Sequence, residues 1–290
     1  MITEAFPVNL VTADGFTLGG KRYPAGSPLK GKLVVAGATA VPQGFYKRFA
    51  QFASARGYET LTFDYRGIGE SRPVSLKGFR MDLLDWARQD LAAAVEAMVD
   101  DTTPMFVVGH SFGGHAFGLL PNHDKVTGFY VFGTGAGWHG YMPLGERLRV
   151  LMMWRLVLPL LTWWKGYCPW KMLGMGEDLP VDVFHQWRHW CQYPHYFFDD
   201  PSMRGIEKTY AEVQTPIVAA NALDDLWASP LSRDAFVQSY RNAPLVRKDL
   251  NPELVGGKIG HMGYFRQSAE PQWSEMLEWF AGLPYTSVDA

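Results

Sequence analysis

The stretch "PMFVVGHSFGGHA", residues 104–116, constrains the fold more than any other part of the chain. An unbroken apolar run ends on Gly109, and a helix of small residues is expected to begin just after Ser111. A backbone can pass from strand to helix within so few residues only where the two elements nearly touch. Such a turn leaves no room for side chains two positions before and two after its centre. Gly109 and Gly113 meet that demand around Ser111, in a G-x-S-x-G pattern. The serine is then presented at a tight turn beside unpaired helix N–H groups, where developing negative charge is stabilised.

The surrounding pattern supplies the sheet that such a turn needs. Residues 6–12 and 16–23 flank Ala13-Asp14-Gly15 and read as a hairpin. Strands are then expected at 32–37, 58–65, 104–109, 126–133, 215–222 and 244–249. Helices are expected at 43–57, 81–99, from Ser111 to about Leu120, and at 230–240 and 271–282. Strands without polar alternation, separated by helices, predict an α/β fold with a mainly parallel sheet covered on both faces. Between 135 and 210 the alternation stops. This stretch holds seven of the eleven tryptophans and reads as helical, so the expected division is a core of 1–134 and 211–290 with a helical insertion at 135–210.

A serine hydroxyl is a weak nucleophile and needs a base. His110 and His115 flank the turn awkwardly, His123 reads as a solvated turn residue, and His139, His185, His189 and His195 fall in the insertion. His185 and His189 are four apart but lack a supporting set of metal ligands, so no metal is expected. His261, in "GGKIGHMGYF", sits on a Gly-bounded loop after the last expected strand, where a loop can carry a ring over a serine at the sheet's edge. An acid is needed between them in the chain order Ser, Asp, His, and "NALDDLW" offers two neighbours, Asp224 and Asp225.

Together, "AGATAVPQGFYKRFA", "FDYRGIGESRP", "GHSFGG", "DDLWASP" and "GHMGYFR" resemble the α/β-hydrolase superfamily, and more closely its bacterial serine hydrolases labelled serine aminopeptidase S33-like. The resemblance covers nearly the whole chain. It implies an α/β-hydrolase fold with a lid after strand six, Ser111 as nucleophile, His261 as base and Asp225 as the acid, with Asp224 a helper or turn residue. It also implies an oxyanion hole from the N–H of Phe112 and one from the loop after the third strand, Ala38 before Thr39. Two departures stand out: Ala36 replaces the usual histidine before Gly37, and Asn221 stands where many relatives have glycine. The implied activity is cleavage of an ester or thioester with an apolar acyl or aromatic part. Acyl transfer, amide or N-terminal peptide cleavage, and a non-catalytic binding role are the competing readings. Glu177 and Asp178 are the acids available to anchor a free amine.

Pocket candidates are Tyr46, Trp138, Trp187 and Trp227, with Phe45 beside Tyr46. Asp64 is expected to tie down the loop that Gly67 and Gly69 allow, and Gly67-Ile68-Gly69 lacks the third glycine of a dinucleotide site, so no cofactor is expected. With 27 basic against 29 acidic residues and no basic block, nucleic acid is not an expected partner. The longest apolar run, 151–164, is short for a membrane span and contains Arg155 and Pro159; lipid contact by the insertion and a homodimer remain open. Two cysteines without CxxC spacing and an N-terminus without a basic-then-apolar leader pattern give a cytoplasmic expectation with reduced thiols.

Overall fold

The computed structural model describes residues 4–26, 28–255 and 257–285. Its eight strands are β1 (Phe6–Val11), β2 (Thr17–Tyr23), β3 (Gly31–Ala36), β4 (Tyr58–Phe63), β5 (Met105–His110), β6 (Gly128–Phe132), β7 (Ile217–Ala222) and β8 (Leu245–Leu250). They form one sheet in the order β1-β2-β4-β3-β5-β6-β7-β8. The opening hairpin pairs antiparallel with itself and with β4, and every later pairing is parallel. Central strands β3, β5, β6 and β7 are buried at every residue, which is why they read as apolar runs rather than alternating ones.

Helices cover both faces. On one side α1 (Lys47–Ser54) and α9 (Glu270–Ala281) pack Phe49, Trp273 and Phe280 against the sheet. On the other, a π turn at Trp86–Leu91 leading into α2 (Ala92–Glu96), together with α3 (Phe112–Phe117), contributes Trp86, Val95 and Phe117. The helix expected from residue 81 starts only at Trp86. Met81 N–H donates to Asp182 and Leu83 N–H to Gln186, so side chains from elsewhere take donors that a helix would have left unpaired. Asp64 accepts from the N–H groups of Gln43 and Glu70 at 2.6 and 2.9 Å, which fixes its loop against the start of the α1 region. A Cβ on Gly69 (φ 46°) would fall 2.4 Å from that carboxylate, so the loop requires glycine there.

Between β6 and β7 the chain forms α4 (Leu144–Met152), a π turn (Met153–Val157), α5 (Leu158–Lys165), α6 (Val181–Trp190) and α7 (Ile206–Glu212). Trp154 packs edge-on to Trp187 at 4.8 Å, and Trp190 to Phe197 at 5.5 Å, so much of this aromatic content is the segment's own core. The final helix before β8 is α8 (Pro230–Val237), capped by the Ser229 hydroxyl. Cys168 and Cys191 are both buried free thiols. Among the described residues no helix is long and apolar enough to cross a membrane.

Candidate active site

Ser111 connects β5 directly to α3 with φ 51° and ψ −107°, a conformation that side-chain-bearing residues rarely adopt. Its N–H donates to Phe132 O at 2.9 Å and its carbonyl accepts from Gly114 N–H at 2.9 Å, so the strain is held from both sides. A Cβ on Gly113 would lie 2.1 Å from Ala36 O, inside van der Waals contact; the close approach of α3 to β3 therefore needs glycine.

The carboxyl end of the parallel sheet gathers the other two groups. His261 Nε2 lies 3.0 Å from Ser111 Oγ, and Nδ1 lies 2.9 Å from Asp225 Oδ2. An ionised carboxylate only accepts, so Nδ1 carries the proton and Nε2 keeps its lone pair toward the serine hydroxyl. Asp225 is 1 % exposed. Its Oδ1 accepts from the N–H groups of Trp227 and Ala228 at 3.0 and 2.9 Å, and Tyr264 Oη donates to Oδ2 at 2.8 Å. Burial alone would raise this carboxyl, but the His261 charge, the His261 hydrogen bond and the other donors outweigh it and hold it below the ordinary range. For His261 burial disfavours the imidazolium, yet the Asp225 charge and hydrogen bond prevail and raise its pKa above the usual histidine value.

Asp224 does different work. Its two carboxylate oxygens accept from Ile259 N–H and Gly260 N–H, each at 3.0 Å, so it grips the loop that delivers His261. Asn221 stays in strand geometry within β7 and donates through Nδ2 to Thr134 O and Ala228 O at 2.8 and 2.7 Å. That buried amide braces the loop carrying Asp225 from beneath.

A second buried chain joins the histidine loop to the turn after β3. His110 Nε2 lies 2.9 Å from His261 O, and His110 Nδ1 lies 3.0 Å from Tyr46 Oη. Burial, with the nearby His261 charge, pushes His110 down to about 3, so the ring is neutral: Nε2–H donates to the carbonyl and Nδ1 accepts from the phenol. Tyr46 Oη in turn accepts the Ala38 N–H at 2.7 Å. The Phe112 N–H has no protein acceptor among the described residues, and neither does that of Thr39.

Beside Ser111 opens a pocket of about 460 Å³. The core side contributes Ala38 to Pro42, Phe45, Ser111 and His261, and the segment between β6 and β7 contributes Trp170, Met175 and Trp187. Of the four aromatic candidates, Trp187 and Trp227 line it. Tyr46 lies behind the wall as the buried bridge just described, and Trp138 packs edge-on to Tyr141 at 5.0 Å away from the lining. Glu177 and Asp178 sit 3.9 and 3.8 Å from Arg72, and Glu177 also meets Lys171 at 3.3 Å. Their charge is already answered by these cations.

The remaining histidines do not converge on Ser111. His115 is buried, stacked on Tyr196 at 4.3 Å, and bonded to Gly135 O at 2.7 Å. His189 and His195 face Asp200 and Asp199. Among the described residues no group of three or more His, Cys, Asp or Glu side chains is placed to hold a metal ion.

Tyr264, Asn221 and the His110–Tyr46 bridge were not singled out as site residues from the sequence. For Tyr264 a signal exists: it lies three residues after His261, close enough to turn back onto the same carboxylate.

A family model described as "Alpha/beta hydrolase family" matches residues 33–271. No curated protein sequence matches the chain. Among solved structures, a soluble variant of monoglyceride lipase from Saccharomyces cerevisiae is similar with a TM-score of 0.71 at 16% identity, over 99% of this chain and 97% of that one. An esterase of Pyrococcus furiosus is similar with a TM-score of 0.63 at 15% identity, over 97% and 91%. An alpha/beta hydrolase from Penicillium sp. sh18 gives 0.63 at 17%, over 96% and 98%. At such identities these likenesses speak to the fold, while the family match spans most of the sequence: the chain belongs to the alpha/beta hydrolase family.

Proposed function

We propose that the protein is a serine hydrolase that cleaves carboxylic esters, or thioesters, of apolar acyl or aromatic acids. The observation that carries this reading is the unbroken line Asp225 Oδ2, His261 Nδ1, His261 Nε2, Ser111 Oγ, with links of 2.9 and 3.0 Å. Neutral His261 takes the serine proton as Oγ attacks the carbonyl carbon. Asp225 holds the ring's tautomer and stabilises the imidazolium. His261 then returns the proton to the leaving alcohol or thiol, and water repeats the cycle on the acyl-enzyme.

The oxyanion is met by Phe112 N–H and by a second donor from the Ala38–Thr39 turn. Ala38 N–H is engaged by Tyr46 Oη at 2.7 Å, so it serves an oxyanion only by exchanging that bond, whereas Thr39 N–H has no such commitment. Residues 135–210 act as the lid in this reading, since Trp170, Met175 and Trp187 form the wall opposite Ala38 to Pro42. The largely apolar lining favours an acyl or aromatic group over a charged one. Aminopeptidase action is disfavoured because Glu177 and Asp178, the acids nearest the site in the lid, are bound to Arg72 and Lys171 rather than free for a substrate amine.

A series of p-nitrophenyl esters tests the assignment. kcat/KM is expected to rise by about fourfold per added methylene until the pocket is filled, the equivalent of about 0.8 kcal/mol for each buried CH₂. Trp187→Ala, which removes part of the wall, should flatten that rise and leave acetate turnover nearly unchanged. A flat series in the wild type, or faster release from aminoacyl p-nitroanilides than from esters, would contradict the ester reading.

A further inference from the structure

The helix from α4 through the π turn to α5 has two faces of opposite use. Inward, Trp154 packs on Trp187 and Trp170 at 4.8 and 5.9 Å, and both of those line the pocket. Outward, Leu148, Met152, Leu156 and Leu160 recur every fourth residue and are each more than half exposed. Trp163 and Trp164 finish the row at 85 % and 65 % exposure. Residues four apart lie one above another on a helix but drift slowly around it. The wider turn at Met153–Val157 counters the drift and extends the row along about 24 Å of helix. Single exposed leucines are ordinary; a continuous apolar row ending in two bare tryptophans is the mark of an interaction surface.

Charge decides what covers it. From 144 to 173 the chain carries Arg147, Arg149, Arg155, Lys165 and Lys171 against Glu146 alone, in a protein whose net charge is −2. Arg149 is paired with Glu146 and Lys171 with Glu177. Arg147, Arg155 and Lys165 have no carboxylate within 4.0 Å among the described residues. A second copy meeting this face across a twofold axis would bring unpaired cations against their own equivalents. An anionic lipid surface instead neutralises the cations while the leucines and tryptophans enter the headgroup boundary. Lys165 Nζ over the Trp164 ring at 4.1 Å places a cation and an aromatic side by side, as at membrane interfaces. Met172 and Leu173, also exposed, lie in the chain between Trp170 and Gly174, which line the pocket.

We propose that this face docks the protein on an anionic lipid bilayer with the pocket mouth toward the membrane, so that an apolar acyl substrate enters from the lipid phase. The docking stands on exposure and charge; only the delivery of substrate rests on the hydrolase reading.

The test is co-sedimentation of the full chain with large vesicles of phosphatidylcholine alone or mixed with phosphatidylglycerol. Wild type is expected to bind the mixed vesicles at least tenfold more tightly, at about fivefold per interfacial cation. The variant L156Q/L160Q/W163Q/W164Q should lose about a hundredfold or more of that binding while keeping its melting midpoint and its turnover of a water-soluble acetate ester. R147Q/R155Q/K165Q, altered only at cations without a carboxylate partner, should weaken binding to the mixed vesicles alone, and it tests the proposal even if the first variant does not fold. Failure of wild type to bind, or equal binding to both vesicle types, overturns the proposal. So does a dimer in sedimentation velocity that the apolar variant dissociates, which would assign the face to a second copy. Vesicle binding without turnover of any ester or thioester would leave docking intact and overturn the proposed ester or thioester cleavage alone.

Discussion

Ser111→Ala is expected to lower kcat on the best ester by about a millionfold, and adding His261→Ala to it should cost almost nothing more. The non-additivity follows from geometry. Oγ and Nε2 are 3.0 Å apart, and in the proposed mechanism they share the one proton whose removal makes the nucleophile, so losing either partner would disable both. What survives is the contribution of the oxyanion donors and of the pocket's other walls. Both variants should fold normally: alanine at 111 keeps the same backbone, braced by Phe132 O and Gly114 N–H. Steady-state kinetics on the single and double variants, with melting curves as a control, decide it. Independent, multiplying losses would mean that the two side chains are not one catalytic unit.

The second large effect separates two neighbours. Asp225→Asn should reduce kcat by about ten-thousandfold, because an amide at this position can turn its NH₂ toward Nδ1 and favour the tautomer in which Nε2 carries the proton. Asp224→Asn should cost far less, since its task is to hold the N–H groups of Ile259 and Gly260, and one amide oxygen still accepts. The pH profiles should also differ. Wild-type activity falls toward acid as His261 protonates, with a midpoint above the ordinary histidine value because Asp225 stabilises the imidazolium. Removing that charge leaves burial as the main influence, so the acid limb of Asp225→Asn should move to lower pH, whereas that of Asp224→Asn should stay in place. A larger loss and a larger shift from Asp224→Asn would reverse the assignment of the two acids.

How far the sequence carried this picture depends on how local each signal is. Strand periods, the glycines around Ser111 and the apolar runs of β3, β5, β6 and β7 are properties of a few consecutive residues, and the sheet follows from them. Ser111 and His261 could be chosen because each lies at a place the fold must put near the sheet's edge. Which of Asp224 and Asp225 faces the His261 ring was legible only through resemblance, because the two are neighbours in one turn and differ in which way the backbone aims them. The bridge from His261 O through His110 and Tyr46 to Ala38 N–H includes a link between residues 151 positions apart. Nothing local marks it: Tyr46 reads as a pocket aromatic, and His110 as a histidine caught in a turn. Trp138 shows the same limit, since a tryptophan after strand six can face the cleft or its own neighbours, and here it packs on Tyr141.

The activated serine at the centre of this reading is most directly tested by a fluorophosphonate. Intact mass after incubation, followed by peptide mapping, should show one adduct, on Ser111, in the wild type. Its formation should slow sharply in His261→Ala and Asp225→Asn and vanish in Ser111→Ala. No adduct on the wild type, an adduct on another residue, or undiminished labelling of His261→Ala would contradict a nucleophile made by Ser111, His261 and Asp225.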